Sequence, residues 1–276
     1  MEDRLVWLLT RFELRARVFK AGPLCNSARF DGRDGLGYIH VMRGGALRIE
    51  SGRRRPLLIR EPSLVFYMNP TDHRLLPQGE GAEMVCASFE FGAGHGNPLA
   101  QALPDVLHFP LMDLPALALT LEVLFAEAAD HHCGRQAVLD RLMEVVIIQL
   151  LRDLMDQKRI QVGLLAGLAD AKLAKALNAV HAEPARPWSL DELAAAAGMS
   201  RARFAARFRE TVGMTPGAYL TEWRLGIAQA LLSRGKSVQV VADAVGYGSA
   251  SALSRAFAAQ VGRSPTDWLR ERSAAA

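Results

Sequence analysis

Two sets of side chains in this sequence have types and spacings that could do chemistry. The first is imidazole and sulfur in the N-terminal part: Cys25, His40, His73 and Cys86. Neutral imidazole hydrogen-bonds, shuttles protons or ligates metal. A lone His on a strand is nevertheless more often hydrogen-bonded structure than a ligand. Cys25 and Cys86 each sit inside a β-rich motif, where a free Cys usually behaves as a small buried hydrophobe. A third cysteine, Cys133 in "DHHCGR", has His131 and His132 beside it and reads as an incidental thiol at a helix start. The second set is cationic. Ser200, Arg201, Arg203 and Arg207 fall on one helical stretch, and the last two, four apart, share a face. Arginine so placed pairs bidentately with guanine or clamps phosphate. Further along, Ala250, Ser251, Ser254 and Arg255 offer mostly small side chains, which allow close approach and thymine-methyl contact but few directed hydrogen bonds. The first stretch should therefore discriminate bases and the second should position.

These side chains need elements to hold them. In "VADAVGYGSASALSRAFAAQVGRSP", Val238, Val241, Ala242 and Val245 make one apolar helix stripe, and Leu253, Ala256, Phe257 and Val261 make a second. Gly246 and Gly248 between them supply the positive φ or close approach of a tight turn. Two short helices with a Gly-containing turn form either an ordinary helical hairpin or a helix-turn-helix whose second helix enters a major groove. The pattern occurs twice, which decides the matter. "SLDELAAAAGMSRARFAARFRETVGMTPGAYL" from Ser189 lies over "SVQVVADAVGYGSASALSRAFAAQVGRSPTDWL" from Ser237, matching Gly198 to Gly246, Gly213 to Gly262, Pro216 to Pro265 and Tyr219 to Trp268. Two copies are too few for a solenoid and suit a two-headed binding module. Each opens at a Ser cap and closes at Gly with Pro soon after.

This pair resembles the DNA-binding domain of the AraC/XylS family of transcriptional regulators, over roughly residues 167–276 and most closely from Arg224 to Pro265. The resemblance implies two helix-turn-helix units joined by a long helix, here about Gly217 to Ser233, with Ser200, Arg201, Arg203, Arg207, Ala250, Ser251, Ser254 and Arg255 at double-stranded DNA. It also implies RNA polymerase as a partner and activation as the usual role. A helix of that length, ~25 Å at ~1.5 Å per residue, together with the width of the flanking units, sets two reading helices about one DNA turn, ~34 Å, apart. Charge agrees: residues 168–276 hold 14 Lys/Arg against 9 Asp/Glu, or +5, while the rest holds 19 against 20, or −1, so the positive excess lies in the part that would meet phosphate.

The remaining chain must supply a signal. A length of 276 residues and a 50% hydrophobic content suit two domains, each with a usable core. Glu2, Asp3 and Arg4 precede any apolar run, so no signal peptide is read, and "LMEVVIIQLL" is too short to span a bilayer. Three cysteines argue against a secreted disulfide framework, and a cytoplasmic chain without membrane contact is expected. Residues 14–110 contain short β-rich runs separated by Gly, Pro, Asn and Asp, which predict a sandwich or barrel. From Leu114 to about Asp156 two helical stripes follow, Leu117, Leu121, Leu124 and Phe125, then Leu139, Leu142, Val146 and Leu150, which pack within the chain or, slightly preferred, in a homodimer.

"GPLCNS", "GYIHVMRGGALRIE", "REPSLVFYMNPTDHRL" and "EMVCASFEF" resemble the cupin-type sensory domain of one AraC-family branch. Metal-dependent cupin enzymes carry His-x-His, a carboxylate and a later His. Here His40 and His73 remain, Met42 stands at the second His position, and no carboxylate occupies the Ala46–Leu47 region. An enzyme is therefore not expected, and no cofactor is assigned. The two cysteines further resemble the oxidant-sensing pair of a redox-responsive group that includes sensors of reactive chlorine species, which implies that role for Cys25 and Cys86. A thiolate near basic groups or protonated His oxidises to sulfenic acid and is resolved by a second thiol. A small-molecule pocket or a metal near His40 and His73 is the alternative signal. A cupin enzyme fused to a DNA-binding module, and a constitutive DNA binder with a purely dimerising barrel, are alternatives of other classes. The expected fold is α+β in two domains: a cupin-like β-barrel or sandwich at 1–112 with a helix pair at 113–157, a linker at 158–167, and an all-α domain with two helix-turn-helix units at 168–276. A fragment starting near Leu168 is expected to fold alone.

Overall fold

The structure is a computed structural model and describes residues 3–32, 35–52, 54–92 and 103–275. The chain divides into two compact units, one made of residues 14–92 and 103–159 and the other of residues 3–13 and 160–275.

The first unit is a seven-stranded antiparallel sheet. Strands β1 (Leu14–Leu24), β2 (Ala28–Phe30), β3 (Gly37–Ser51), β4 (Leu57–Ile59), β5 (Ser63–Tyr67), β6 (His73–Phe91) and β7 (Leu107–Pro110) run in the order β1-β6-β3-β5-β7, with β2 on β6 and β4 on β3. The two long strands do double duty. The end of β6 pairs with β1 and the start of β3, while its beginning pairs with β2 and the end of β3; register shifts at Met42/Gly44 and Gly45/Ala46 mark the bend. Two short 3-10 turns lead to α2 (Ala118–Ala129) and α3 (Arg135–Asp156). The predicted stripes are buried at Leu117, Leu121, Leu124, Phe125, Leu139, Val146 and Leu150, with Met143 rather than Leu142 completing the second. Helix α3 also covers the β1 edge, where backbone N–H groups need acceptors. Val18 N–H donates to Asp140 Oδ1 at 2.7 Å, and Gln136 Nε2 donates to the Val18 carbonyl at 2.7 Å.

The second unit is all helical: α1 (Val6–Arg11), α4 (Leu164–Ala169), α5 (Leu173–Ala182), α6 (Leu190–Ala196), α7 (Arg201–Val212), α8 (Pro216–Ser233), α9 (Val238–Ala244), α10 (Ala250–Val261) and α11 (Pro265–Ala275). Two expectations change here. The stretch 158–167 is not simply a linker, because α4 begins inside it and Leu164, Leu165 and Gly167 are buried. Residues 3–13 belong with this unit and not with the sheet. Leu8 and Phe12 are fully buried, Phe12 meets Trp223 edge-on with ring centroids 5.2 Å apart, and Arg4 donates to the Leu168 carbonyl at 3.0 Å. Apolar residues at positions 5, 8 and 12 form one buried helical stripe, whose last member, Phe12, packs on Trp223.

Candidate nucleic-acid interface and sheet interior

Helices α6 and α7 form the first helix-turn-helix. Ser189 caps α6 in a capping box with Glu192, and Gly213, at φ +87°, ends α7. Phe204 and Phe208 turn into the core, where Phe208 packs on Tyr219, so Ser200, Arg201, Arg203 and Arg207 are left outward. Their roles differ. Arg207 donates from Nε to Asp170 Oδ2 at 2.7 Å, while Asp170 Oδ1 accepts from the Lys172 and Leu173 N–H groups at the start of α5. Burial opposes the charge on Asp170, but the Leu173 N–H, the Arg207 guanidinium and the Lys172 N–H outweigh it and hold the carboxyl below its ordinary range. Arg207 therefore ties the reading helix to α5 instead of standing ready for a base. Arg201 approaches Asp191 at 3.3 Å, and both side chains are well exposed. Arg203 is exposed and makes no ion pair among the described residues. Arg209 on the same helix is likewise exposed without an ion pair among the described residues, so neither is tied down as Arg207 is.

This assignment predicts a split. Arg203→Ala should weaken binding to the specific site by about 1–3 kcal/mol if it reads a base, or reduce the salt slope by about one if it holds phosphate. Arg207→Ala should lower the melting temperature as well. Unchanged affinity and salt dependence for Arg203→Ala would displace α7 from the reading position.

Helices α9 and α10 form the second unit. Ser237 caps α9 through Val240 N–H, and Ser249 caps α10 through Ala252 N–H. The start of α10 thus carries Ala250 and Ser251 just beyond its cap, with Ser251 and Arg255 exposed and Ser254 half-buried. Of the two turn glycines only Gly246 is required. It holds φ +80°, and a Cβ there would lie 2.7 Å from the Ala185 Cα and 2.8 Å from its carbonyl carbon. Gly248 has open space around it and no positive φ, so the expectation for that residue does not hold.

Sequence reading missed the piece that joins the two helix-turn-helix motifs. Arg224, in the middle of α8, donates to the carbonyls of Pro184 at 2.6 Å and Arg186 at 2.8 Å, and its guanidinium lies 5.9 Å from the Tyr247 ring centroid. The loop before α6 is thereby held to α8 and to the turn between α9 and α10. Helix α8, 18 residues and about 27 Å long, becomes a spacer with both heads fixed to it.

In the sheet unit, His40 and His73 are buried and joined, Nε2 to Nε2, at 2.8 Å. Burial holds both below the ordinary imidazole value, His40 well below with its neighbour His73 adding to the effect, so both are neutral at physiological pH. The tautomers then follow. His73 Nδ1 lies 2.7 Å from the Thr71 carbonyl, which can only accept, so Nδ1 carries the proton and Nε2 a lone pair. His40 Nε2 must donate to it, which leaves His40 Nδ1 as a bare acceptor, buried and without a partner. Phe30 and Tyr67 stack on His73 with centroids 4.7 and 4.1 Å away. Register sets Lys20, Cys86, His40, Val65 and His108 opposite one another in a single row across five strands. Ser63 Oγ and His108 Nε2 are also unpaired. Met42 is buried on β3, two residues after His40, and among the described residues no three His, Cys, Asp or Glu side chains converge on a metal-sized site.

The two cysteines are not brought together. Cys86 is buried, and burial pushes its thiol up to about 12 against the pull of Lys20. Cys25 is exposed just past the end of β1, beside Gly81, whose Cβ would stand 3.7 Å from the Cys25 Cα. Gly81 and Cys86 are five residues apart on one strand, so Cys25 and Cys86 are separated by roughly 16 Å. A disulfide needs about 7 Å or less between Cα atoms. The expected pair cannot bond in this arrangement. Cys133 is exposed between α2 and α3.

The Cupin family matches residues 3–156, and a Helix-turn-helix domain family matches residues 193–271. A Streptomyces antibioticus protein described as an AraC-like transcription regulator is 31% identical, with 98% of each chain covered. A Streptomyces lividans protein with the same description is 30% identical over 98% of this chain and 97% of its own. The RCS-specific HTH-type transcriptional activator RclR of Escherichia coli (strain K12) is 27% identical over 84% of each chain.

Proposed function

Because the chain belongs to the AraC-like transcription regulators, with a cupin domain ahead of its helix-turn-helix domain, we propose that it binds double-stranded DNA sequence-specifically and activates transcription in response to a signal received by the sheet unit. The observation that carries this reading is Arg224, which ties the loop before α6 to the spacer helix α8 and lies against Tyr247 in the turn before α10, so that both helix-turn-helix units are held on one spacer. RNA polymerase as downstream partner and a cytoplasmic location go with it. A homodimer is supported by apolar side chains left on the helix pair, Leu119 at 78% exposure with Val123, Val138 and Val145. No helix among the described residues is long and apolar enough to cross a membrane. A regulator is favoured over a cupin enzyme because two imidazoles and a thioether stand where a metal centre needs more donors.

The signal best supported is a small neutral molecule that donates a hydrogen bond to His40 Nδ1, a buried imidazole acceptor without a protein partner among the described residues. An oxidant signal keeps one support, the relative whose name marks it as RCS-specific. Against it stand the high pKa of Cys86 and the distance to Cys25. Footprinting of the full chain should show protection in two consecutive major grooves on one face. In a reporter assay, His40→Phe should abolish induction and leave basal DNA binding intact, and the Cys25→Ser/Cys86→Ser double variant should respond normally. Lost induction in the cysteine variant, with His40→Phe unaffected, would transfer the sensor role to the thiols.

A further inference from the structure

The outer surface of the sheet unit carries a feature that neither DNA reading nor the His40–His73 pair uses. Strands β3, β4 and β6 alternate side chains between two faces. Leu47, Ile49, Ile59 and Leu75 go to the core, which sends Ala46, Arg48, Leu58 and Gln78 to the outside. With Arg55, Pro56, Arg60 and Gly79 these residues line a cleft of about 530 Å³. Three guanidinium groups therefore surround one concave surface. Glu50 answers Arg48 at 2.8 Å, but Arg55 and Arg60 have no acidic partner among the described residues. The hairpin between β3 and β4 separates its basic run: Arg54 is committed to Asp105, and its N–H donates to the Ser51 carbonyl at 3.0 Å, while its neighbour Arg55 goes to the cleft. Like charges crowded at one mouth repel, and an anion removes that repulsion. Arginine forks also match the geometry of carboxylate and phosphate oxygens. Between the arginines the lining is apolar: Ala46, Pro56 and Leu58, the last half exposed. Leu58, on a short edge strand, offers this apolar surface at the cleft itself.

We infer that this cleft is a binding site for a small organic anion, a carboxylate or phosphate head held by Arg55 and Arg60 with an apolar body lying against Leu58 and Pro56. The site is separate from the pair of imidazoles inside the sheet and does not depend on the regulatory reading, because binding is measured without DNA. Calorimetric titration of the full-length protein at physiological salt, with phenyl phosphate and octanoate as organic probes and inorganic phosphate as control, tests it. At least one organic anion should bind, roughly tenfold or more tighter than inorganic phosphate, because the apolar body adds its own burial. The Arg55→Ala/Arg60→Ala double variant should weaken that binding by roughly tenfold or more. Leu58→Asp should abolish it. These side chains are exposed, so all variants should keep the wild-type circular dichroism spectrum. Which probe binds distinguishes a carboxylate from a phosphate ligand. The inference is overturned if the double variant binds as wild type does, or if inorganic phosphate binds as well as both organic probes. It is overturned equally if neither probe binds and the arginine substitutions instead weaken DNA binding, which would make the patch a nucleic-acid contact.

Discussion

Gly246→Ala should uncouple the second reading head from the first. The residue holds φ +80°, which costs a non-glycine residue about 1–2 kcal/mol. The added methyl would also meet the backbone of Ala185, at 2.7 Å from its Cα. That backbone cannot retreat freely, because Arg224 holds the carbonyls of Pro184 and Arg186 on either side of it. Overpacking against fixed atoms adds about 1–3 kcal/mol. The corresponding glycine of the first unit provides the internal control: Gly198 has φ +62° but nothing within 4 Å of an added Cβ, so Gly198→Ala should cost only the backbone part. On a DNA site spanning two major grooves, Gly246→Ala should bind no better than to a site with the second half scrambled. Affinity measurements on the two sites, beside melting curves, separate the outcomes. A Gly246→Ala protein with wild-type melting and a preserved preference for the intact site would refute the proposed coupling.

The other large effect is expected at the far end of the chain. Phe12 is fully buried and edge-on to Trp223, which is itself fully buried, and Phe→Ala in such a position costs about 3–5 kcal/mol. Phe12→Ala should therefore lower the transition of the helical unit while leaving that of the sheet unit in place. Near-ultraviolet circular dichroism during denaturation would follow the environment of Trp223. A fragment starting near Leu168, expected from the sequence to fold alone, lacks α1 and most of α4. It should melt well below the intact protein and regain stability when residues 1–13 are fused back through a flexible linker. A fragment as stable as the full chain would show that α1 is dispensable.

What was legible in the sequence was local. Ser caps, glycine stops and stripes of Leu, Val and Phe are decided within a turn or two of helix, and their repetition named the two helix-turn-helix units. The alternating runs of residues 14–110 likewise gave the sheet. What escaped depends on partners far along the chain. Arg207 meets Asp170 37 residues away, and Arg224 meets Pro184 40 residues away. The repeat matches Gly246 to Gly198 and leaves Gly248 without a counterpart, but only the positive φ and the closeness of Ala185 show that Gly246 alone is required. The two cysteines each lie at a β-motif, but only the strand register places Cys25 beside Gly81 and not beside Cys86. The N-terminal stripe of Leu5, Leu8 and Phe12 announces a helix without saying which core it will cover.

That placement of α1 has a consequence for how the protein is made. Residues 3–13 leave the ribosome well ahead of Trp223, which follows more than two hundred residues later. At about 5–20 residues per second the segment waits roughly 10–40 s for its site, and meanwhile the whole sheet unit, encoded between the two, has time to form. Three large apolar side chains stay uncovered throughout that interval. Synthesis rate and holding chaperones, more than the final stability, should then govern how much of the chain reaches its native state.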